Sequence, residues 1–472
     1  MEKPLVVDLD GTLIKTDLLV ETLLTYVNQN ILNAFLFFVF LLKGKSYLKS
    51  KIAKSVDINV GTLPYNLDVV KFIEKEREAG RKVILATASN IKYAKEIADY
   101  TELFDYVLAS DENVNLASRS KAHELVKRYG KGGFDYMGNS AADLTVWEQA
   151  DKAIVVNPDR GVLTRAKRNA NVTQTFDNRP SFLKSMLKAF RVHQWAKNIL
   201  IFVPLAASHY LTELDQLFTG VFAFLLFSLC ASTVYLLNDL LDLEDDRHHK
   251  SKCLRPFASG DLDVRVGLVL CPIILSLVLL SSFIFLPFDF FLVLVAYYVL
   301  TLAYSFKLKR IVMIDVITLA LLYTIRIIAG GAVLGLEITF WLLAFSMFIF
   351  LSLALVKRYA ELYEARKSGV EKTRGRGYRP SDLELLSSLG ASSGYLSVLV
   401  MSLYINEPST AAMYSHPAVI WLACPLLLYW ISRTWMITHR GLMHDDPVVF
   451  ALKDRASQII GTLFILVFWL AI

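Results

Sequence analysis

Cysteine is scarce and has no metal-like spacing. The four in 472 residues (Cys230, Cys253, Cys271 and Cys424) include no CxxC pair, and three lie in apolar stretches. Neither a disulfide framework nor a zinc site is expected. Charge is scarce as well. Asp, Glu, Lys and Arg make up 20% of the chain against 54% hydrophobic residues, with a mean hydropathy of +0.44. That balance excludes a disordered chain and an ordinary soluble enzyme of this length. The opening MEKPLVVDLDGTL lacks a basic segment followed by an apolar run, so no signal peptide is expected. The net charge of +6 is modest, and nothing in it points to a nucleic-acid partner.

Composition changes near residue 190. Before it, LVVDLD (5–10), KVILATAS (82–89) and AIVVNP (153–158) read as buried parallel strands separated by polar helices, which predicts an α/β domain over 1–175. Residues 176–190 read as a short linker. From 191 to 472 the chain reads as an all-α membrane bundle of nine spans. They lie near 197–211, 216–238, 266–284, 288–305, 311–333, 339–356, 387–405, 417–436 and 457–472. With the N-terminal domain in the cytosol, the outward loops contain no Lys or Arg, whereas the inward loops hold twenty. This predicts a multi-pass inner-membrane protein with its sites on the cytoplasmic side and an extracytoplasmic C-terminus. Ile31–Leu42 is apolar but too short to span. It reads as a buried helix of an insertion, or as an interfacial helix that docks the soluble domain on the bilayer.

Asp8-Leu9-Asp10-Gly11-Thr12 ends the first strand. Downstream come Thr87 at a second strand end, Lys121, and Gly138-Asn139-Ser140-Ala141-Ala142-Asp143. In order and spacing these resemble the haloacid dehalogenase superfamily of phosphatases. The resemblance implies a Rossmann-like fold with a small helical cap. It makes Asp8 the nucleophile that takes the phosphoryl group and Asp10 the general acid and base. Thr87 and Lys121 would hold phosphoryl oxygens, and Mg²⁺ would take oxygens from Asp8, Asp10, Asn139 and Asp143. Asn139 departs from the usual pattern, in which an Asp is common.

The second span ends in Asn238-Asp239-Leu240-Leu241-Asp242-Leu243-Glu244-Asp245-Asp246. On a helix, positions 239, 242 and 246 share a face. Carboxylates stacked at a membrane surface repel one another, and a divalent cation carrying a diphosphate relieves that repulsion. His248, His249, Lys250, Lys252, Arg255-Pro256 and Ala258-Ser259-Gly260 follow, and the cations among them suit the anionic half of such a complex. The NDxxDxxxD…RPxASG pattern resembles the UbiA superfamily of intramembrane prenyltransferases. The resemblance covers about 186–472 and implies Mg²⁺ at Asp239, Asp242 and Asp246.

The matching second loop has Tyr304, Lys309, Asp315 and Arg326. Family members acting on aromatic acceptors often carry two acidic residues four apart here, but this chain has Leu319 after Asp315. Lys197 with Asn198, Lys357-Arg358-Tyr359-Ala360-Glu361, Arg376-Gly377-Tyr378 and Asp445-Asp446-Pro447 look like the decaprenyl-phosphate phosphoribosyltransferases. Asn238, Lys250, Arg255 and these basic segments become the expected substrate-binding set, a cation-rich mouth above an apolar groove. The resulting expectation is a bifunctional membrane enzyme. One part moves ribose 5-phosphate from phosphoribosyl pyrophosphate to polyprenyl phosphate, and the soluble part removes the 5-phosphate. The alternative is a prenyltransferase using a prenyl diphosphate and an aromatic or other lipid acceptor. A homo-oligomer is compatible with either.

Overall fold

The computed structural model describes residues 3–30, 33, 40, 42, 45–111, 114–208, 210, 213–249, 251–369, 377–408, 414–443 and 446–472. Most of the 31–42 segment, Lys250, Arg376 and Asp445 lie outside the described residues.

The N-terminal sheet has six parallel strands. They are β1 (Leu5–Val7), β2 (Val83–Asn90), β3 (Tyr106–Ser110), β4 (Asp135–Gly138), β5 (Ala153–Val156) and β6 (Val172–Phe176), in the order β3-β2-β1-β4-β5-β6. A parallel sheet needs both faces covered, so its central strands are apolar on both sides. Leu5, Val7, Val83, Leu85 and Met137 pack into one core, while Val6, Ile84, Ala86 and Tyr136 pack into the other. Each fully buried side chain of this size contributes about 1.5–3 kcal/mol. The strand order reverses beside β1, and the carboxyl ends there form the crevice in which such sheets place their ligands. Helices Leu18–Gln29 and Lys45–Ser55, inserted between β1 and β2, supply the expected helical cap. A parallel α/β sheet with helices inserted after its first strand is the architecture expected for residues 1–175.

The chain forms two compact units. The first is Met1–Phe190 with Tyr235–Cys271, and the second is Arg191–Val234 with Pro272–Ile472. The first stretch of the first unit ends at Phe190. Less expected is that the carboxylate motif and its loop pack with the N-terminal domain. The expected linker takes part in this packing: it forms helix Phe182–Ala189, whose Met186 and Ala189 join Leu240, Phe257, Ala258 and Leu262 in one apolar cluster. Lys188 Nζ donates to the Leu254 carbonyl at 2.6 Å.

Among the described residues, seven helices are long and apolar enough to cross a bilayer: Leu214–Leu241, Val264–Phe285, Phe288–Phe306, Ile314–Leu334, Phe340–Lys367, Pro380–Ile405 and Pro417–His439. Pro447–Lys453 and Arg455–Ala471, bent by 83°, make an eighth if counted together. The expected nine is not reached among the described residues, which give seven such helices, or eight with the bent pair. The first expected span instead starts as a 3₁₀ stretch, Val192–Phe202, and continues as the short helix Val203–Ala207. Pro204 suits the start of that helix but could not lie inside a continuous span without a kink.

Candidate functional site

The phosphatase-like residues converge at the carboxyl ends of β1, β2 and β4. Lys121 Nζ donates to Asp8 Oδ1 at 2.7 Å and lies 2.9 Å from the Tyr136 hydroxyl. Tyr136 in turn donates to Asp143 Oδ1 at 2.8 Å. The second Asp143 oxygen accepts from the backbone N–H groups of Asn139 and Ser140 and from the Ser140 hydroxyl. Asp143 is thereby engaged in shaping the loop that presents Asn139. Asp10 accepts from the Leu18 N–H at 2.9 Å and the Ser89 hydroxyl at 2.6 Å. Thr87 is fully buried, 3.5 Å from Asp10, and its hydroxyl accepts from the Ser89 N–H. Ser89, rather than Thr87, lines the cavity of about 790 Å³ that Asp8, Asp10, Lys121 and Asn139 also line.

Burial pushes the Asp8 carboxyl up to about 7, against the pull of Lys121. Burial, with Asp17 nearby, pushes Asp10 up to about 6. An acid poised near the operating pH suits protonation of a leaving oxygen. Burial works against the charge of Lys121, but Asp8 and Asp143 hold it above the ordinary lysine range.

The same unit carries the carboxylate motif. Helix Leu214–Leu241 ends before Asp242, and helix Leu243–His248 follows. The three carboxylates therefore do not share one unbroken helix. Asp239 and Asp246 are buried and bridged by Arg255, whose Nη1 lies 3.1 Å from the first and 2.6 Å from the second. Asp242 is half-buried. Asp246 Oδ1 is buried without a hydrogen-bond partner, and burial raises the pKa of its carboxyl despite Arg255. Next to it, Arg247 makes a two-pronged ion pair with Glu21 at 2.8 and 2.6 Å and donates to the Ala258 carbonyl at 3.0 Å.

The second unit gathers most of the remaining expected residues into two clusters. Lys197 and Lys357 donate to Asp446 at 2.8 and 3.0 Å, and Tyr323 adds its hydroxyl at 3.3 Å. Arg326 donates to Asn198 at 2.8 Å and lies against the rings of Phe227, Tyr297 and Tyr323. Asn198 donates to Ser228 at 2.9 Å. One residue along from Lys357, Arg358 pairs with Asp315 at 2.8 Å, and both are buried. Tyr378 donates to Asp315, and Glu361 pairs with Arg358. Leu319 packs against the apolar core of this unit, in keeping with the lack of a second acidic pair. Tyr304 and Lys309 lie at the end of Phe288–Phe306 and in the turn that follows, and Asn238 is half-buried near the end of its helix.

The donor chemistry fits Mg²⁺ in both places. Asp8, Asp10 and Asn139 offer oxygens to the cavity, and at the other place Asp239 and Asp246 offer theirs, Asp246 Oδ1 being buried without a hydrogen bond, 4.0 Å from Lys252 Nζ. Among the described residues, no three His, Cys, Asp or Glu side chains form a metal cage. Mg²⁺ does not require one, since it keeps waters and takes phosphate oxygens alongside one or two carboxylates. Sequence reading passed over Ser89, Tyr136, Glu21, Arg247 and the individual role of Asp446. The DDP run was a signal for the last. Ser89, Glu21 and Arg247 lie far in sequence from the partners they meet, and Tyr136, though near Asp143, carries no motif.

Residues 199–453 match the UbiA prenyltransferase family. A Sinorhizobium fredii protein, y4nM, is 38% identical over 99% of this chain and 91% of its own length. Decaprenyl-phosphate phosphoribosyltransferase of Mycobacterium tuberculosis is 31% identical over 60% of this chain and 93% of its own. The structure of a UbiA homologue from Archaeoglobus fulgidus, bound to DMAPP and Mg²⁺, aligns with a TM-score of 0.45 and 19% identity, over 61% of this chain and 98% of that one.

Proposed function

We propose, from the premise that the chain belongs to the UbiA prenyltransferase family, that it joins ribose 5-phosphate to a polyprenyl phosphate and then removes the 5-phosphate. The observation that carries the first step is the buried Asp239–Arg255–Asp246 bridge with its orphaned carboxylate oxygen. Two carboxylates and a guanidinium suit a diphosphate and its cation better than they suit each other. The mycobacterial relative, by name, acts on decaprenyl phosphate and moves a phosphoribosyl group.

In the first step a lipid phosphate oxygen bonds to C1 of phosphoribosyl pyrophosphate, and the C1–O bond to pyrophosphate breaks. Asp239, Asp242 and Asp246 would hold Mg²⁺, which supplies charge stabilisation to the leaving diphosphate. Arg255 donates to its oxygens. In the second unit, Lys197 and Lys357, which share the Asp446 carboxylate, are cations suited to phosphate oxygens. In the second step Asp8 attacks the phosphomonoester while Asp10 protonates the departing C5 oxygen. Asp10 then takes a proton from the water that hydrolyses the aspartyl-phosphate. Lys121 and Ser89 offset charge on the phosphoryl oxygens, and Asp8, the Asp10 carbonyl and Asn139 would hold a second Mg²⁺ there.

Purified protein is expected to turn over phosphoribosyl pyrophosphate with polyprenyl phosphate, and to leave a prenyl diphosphate and an aromatic acid unchanged. The reverse preference would replace this reading with prenyl transfer. Orientation follows from the Lys and Arg content of the loops, with the N-terminal domain in the cytosol. A reporter fused after Ile472 is expected to read as extracytoplasmic, which requires Val192–Ala207 to complete a crossing. A cytosolic reading would remove that crossing.

A further inference from the structure

The phosphatase cavity is not closed by the α/β domain alone. Gly260 and Leu262, from the loop that follows the transferase carboxylates, and Arg265, in the first turn of helix Val264–Phe285, line it together with Asp8, Asp10 and Lys121. The loop is held firmly in place. Leu262, Phe257 and Ala258 are buried in the cluster that also takes Val20 and Leu24 of the cap helix. Arg247 ties the Ala258 carbonyl to Glu21 of that same helix. Gly260 has φ +72°, and an added Cβ would lie 2.5 Å from the Lys15 Cβ, so this close approach admits only glycine.

Arg265 stands in the first turn of the helix that follows this loop, with 60% of its side chain exposed. It is oriented by two carboxylates. Asp263 accepts from its Nε and its backbone N–H and pairs with its Nη2 at 3.0 Å, and Asp17 lies 3.7 Å from its Nη1. A cavity of about 790 Å³ is far larger than one phosphate group requires and leaves room for the rest of a substrate. An exposed guanidinium on its wall is suited to a second anionic oxygen, because its planar donors match phosphate geometry.

We propose that Arg265 is a specificity-determining residue of the phosphatase, pairing with the phosphodiester of a lipid-linked sugar phosphate while Asp8 faces the phosphomonoester. This deepens the reading given above and rests on it. The substrate class is a sugar bearing a terminal phosphomonoester at one end and a singly charged phosphodiester at the other. The chain segment that helps build the transferase site also reads the product of that site.

The test uses the full-length protein in detergent, with the lipid-linked ribose 5-phosphate and free ribose 5-phosphate as parallel substrates. For the wild type, kcat/KM is expected to favour the lipid-linked substrate. Arg265→Ala is expected to lower the ratio of the two kcat/KM values about 10- to 100-fold, mostly through KM, and Arg265→Lys to recover part of it. An unchanged ratio with an active lipid phosphatase would overturn the role of Arg265 alone. An equal fall for both substrates would overturn it too, as the mark of a merely structural residue. A wild type that hydrolyses ribose 5-phosphate but not the lipid-linked compound would overturn the two-step reading itself.

Discussion

Full-length protein carrying Asp8→Asn is expected to make the polyprenyl-phosphoryl-ribose at the wild-type rate and to stop at its 5-phosphorylated form. The amide is nearly isosteric with the carboxylate but cannot attack phosphorus. Release of inorganic phosphate should fall on the order of 10⁶-fold, as it does when a covalent nucleophile is removed. The substitution also leaves Lys121 beside a neutral partner, with Asp143 3.9 Å away as its remaining carboxylate. The domain should stay folded, because the two cores on either face of the sheet do not involve Asp8. Chromatography of the lipid products, with and without a commercial phosphatase, distinguishes the two forms. If the wild type and the variant give the same phosphorylated lipid, the soluble domain does not act on this product. Tethering explains why one chain would carry both activities. The product stays at the bilayer surface, where an attached phosphatase meets it at an effective concentration on the order of millimolar.

Asp246→Asn is expected to reduce transfer by about 10²- to 10³-fold, and Asp239→Asn by a similar factor, the usual effect of removing one group that stabilises a leaving anion. The two variants should differ in their response to Mg²⁺. Asp246 has the orphaned oxygen, so its amide should show the greater rise in the Mg²⁺ concentration needed for half-maximal rate. Neither change should alter hydrolysis of ribose 5-phosphate, since neither residue lines the cavity of Asp8 and Asp10. Wild-type transfer in both variants would remove these carboxylates from the mechanism.

How much was legible in the sequence varies by element. LVVDLD, KVILATAS and AIVVNP were readable as strands because they are buried on both faces and so appear as unbroken apolar runs. The edge strands Tyr106–Ser110 and Val172–Phe176 were not, because half-exposed strands mix polar residues into the run. Asp8, Asp10, Lys121 and the NDxxDxxxD motif were legible as local spacings, and the long membrane helices as runs of hydropathy. Local spacing could not decide whether residues 192–207 would form one helix, since winding and Pro204 together settle that. It also could not reveal that Asp143 is taken up by Tyr136 and the Ser140 turn, or that Ser89 faces the cavity in place of Thr87. Above all, the placement of residues 235–271 with the N-terminal domain comes from contacts between distant residues: Glu21 with Arg247, Lys15 with Gly260, Lys188 with Leu254. Sequence determines which groups the chain possesses and which local elements they favour. Which of them share a cavity depends on burying apolar surface while pairing every buried charge, and only the folded chain meets both demands.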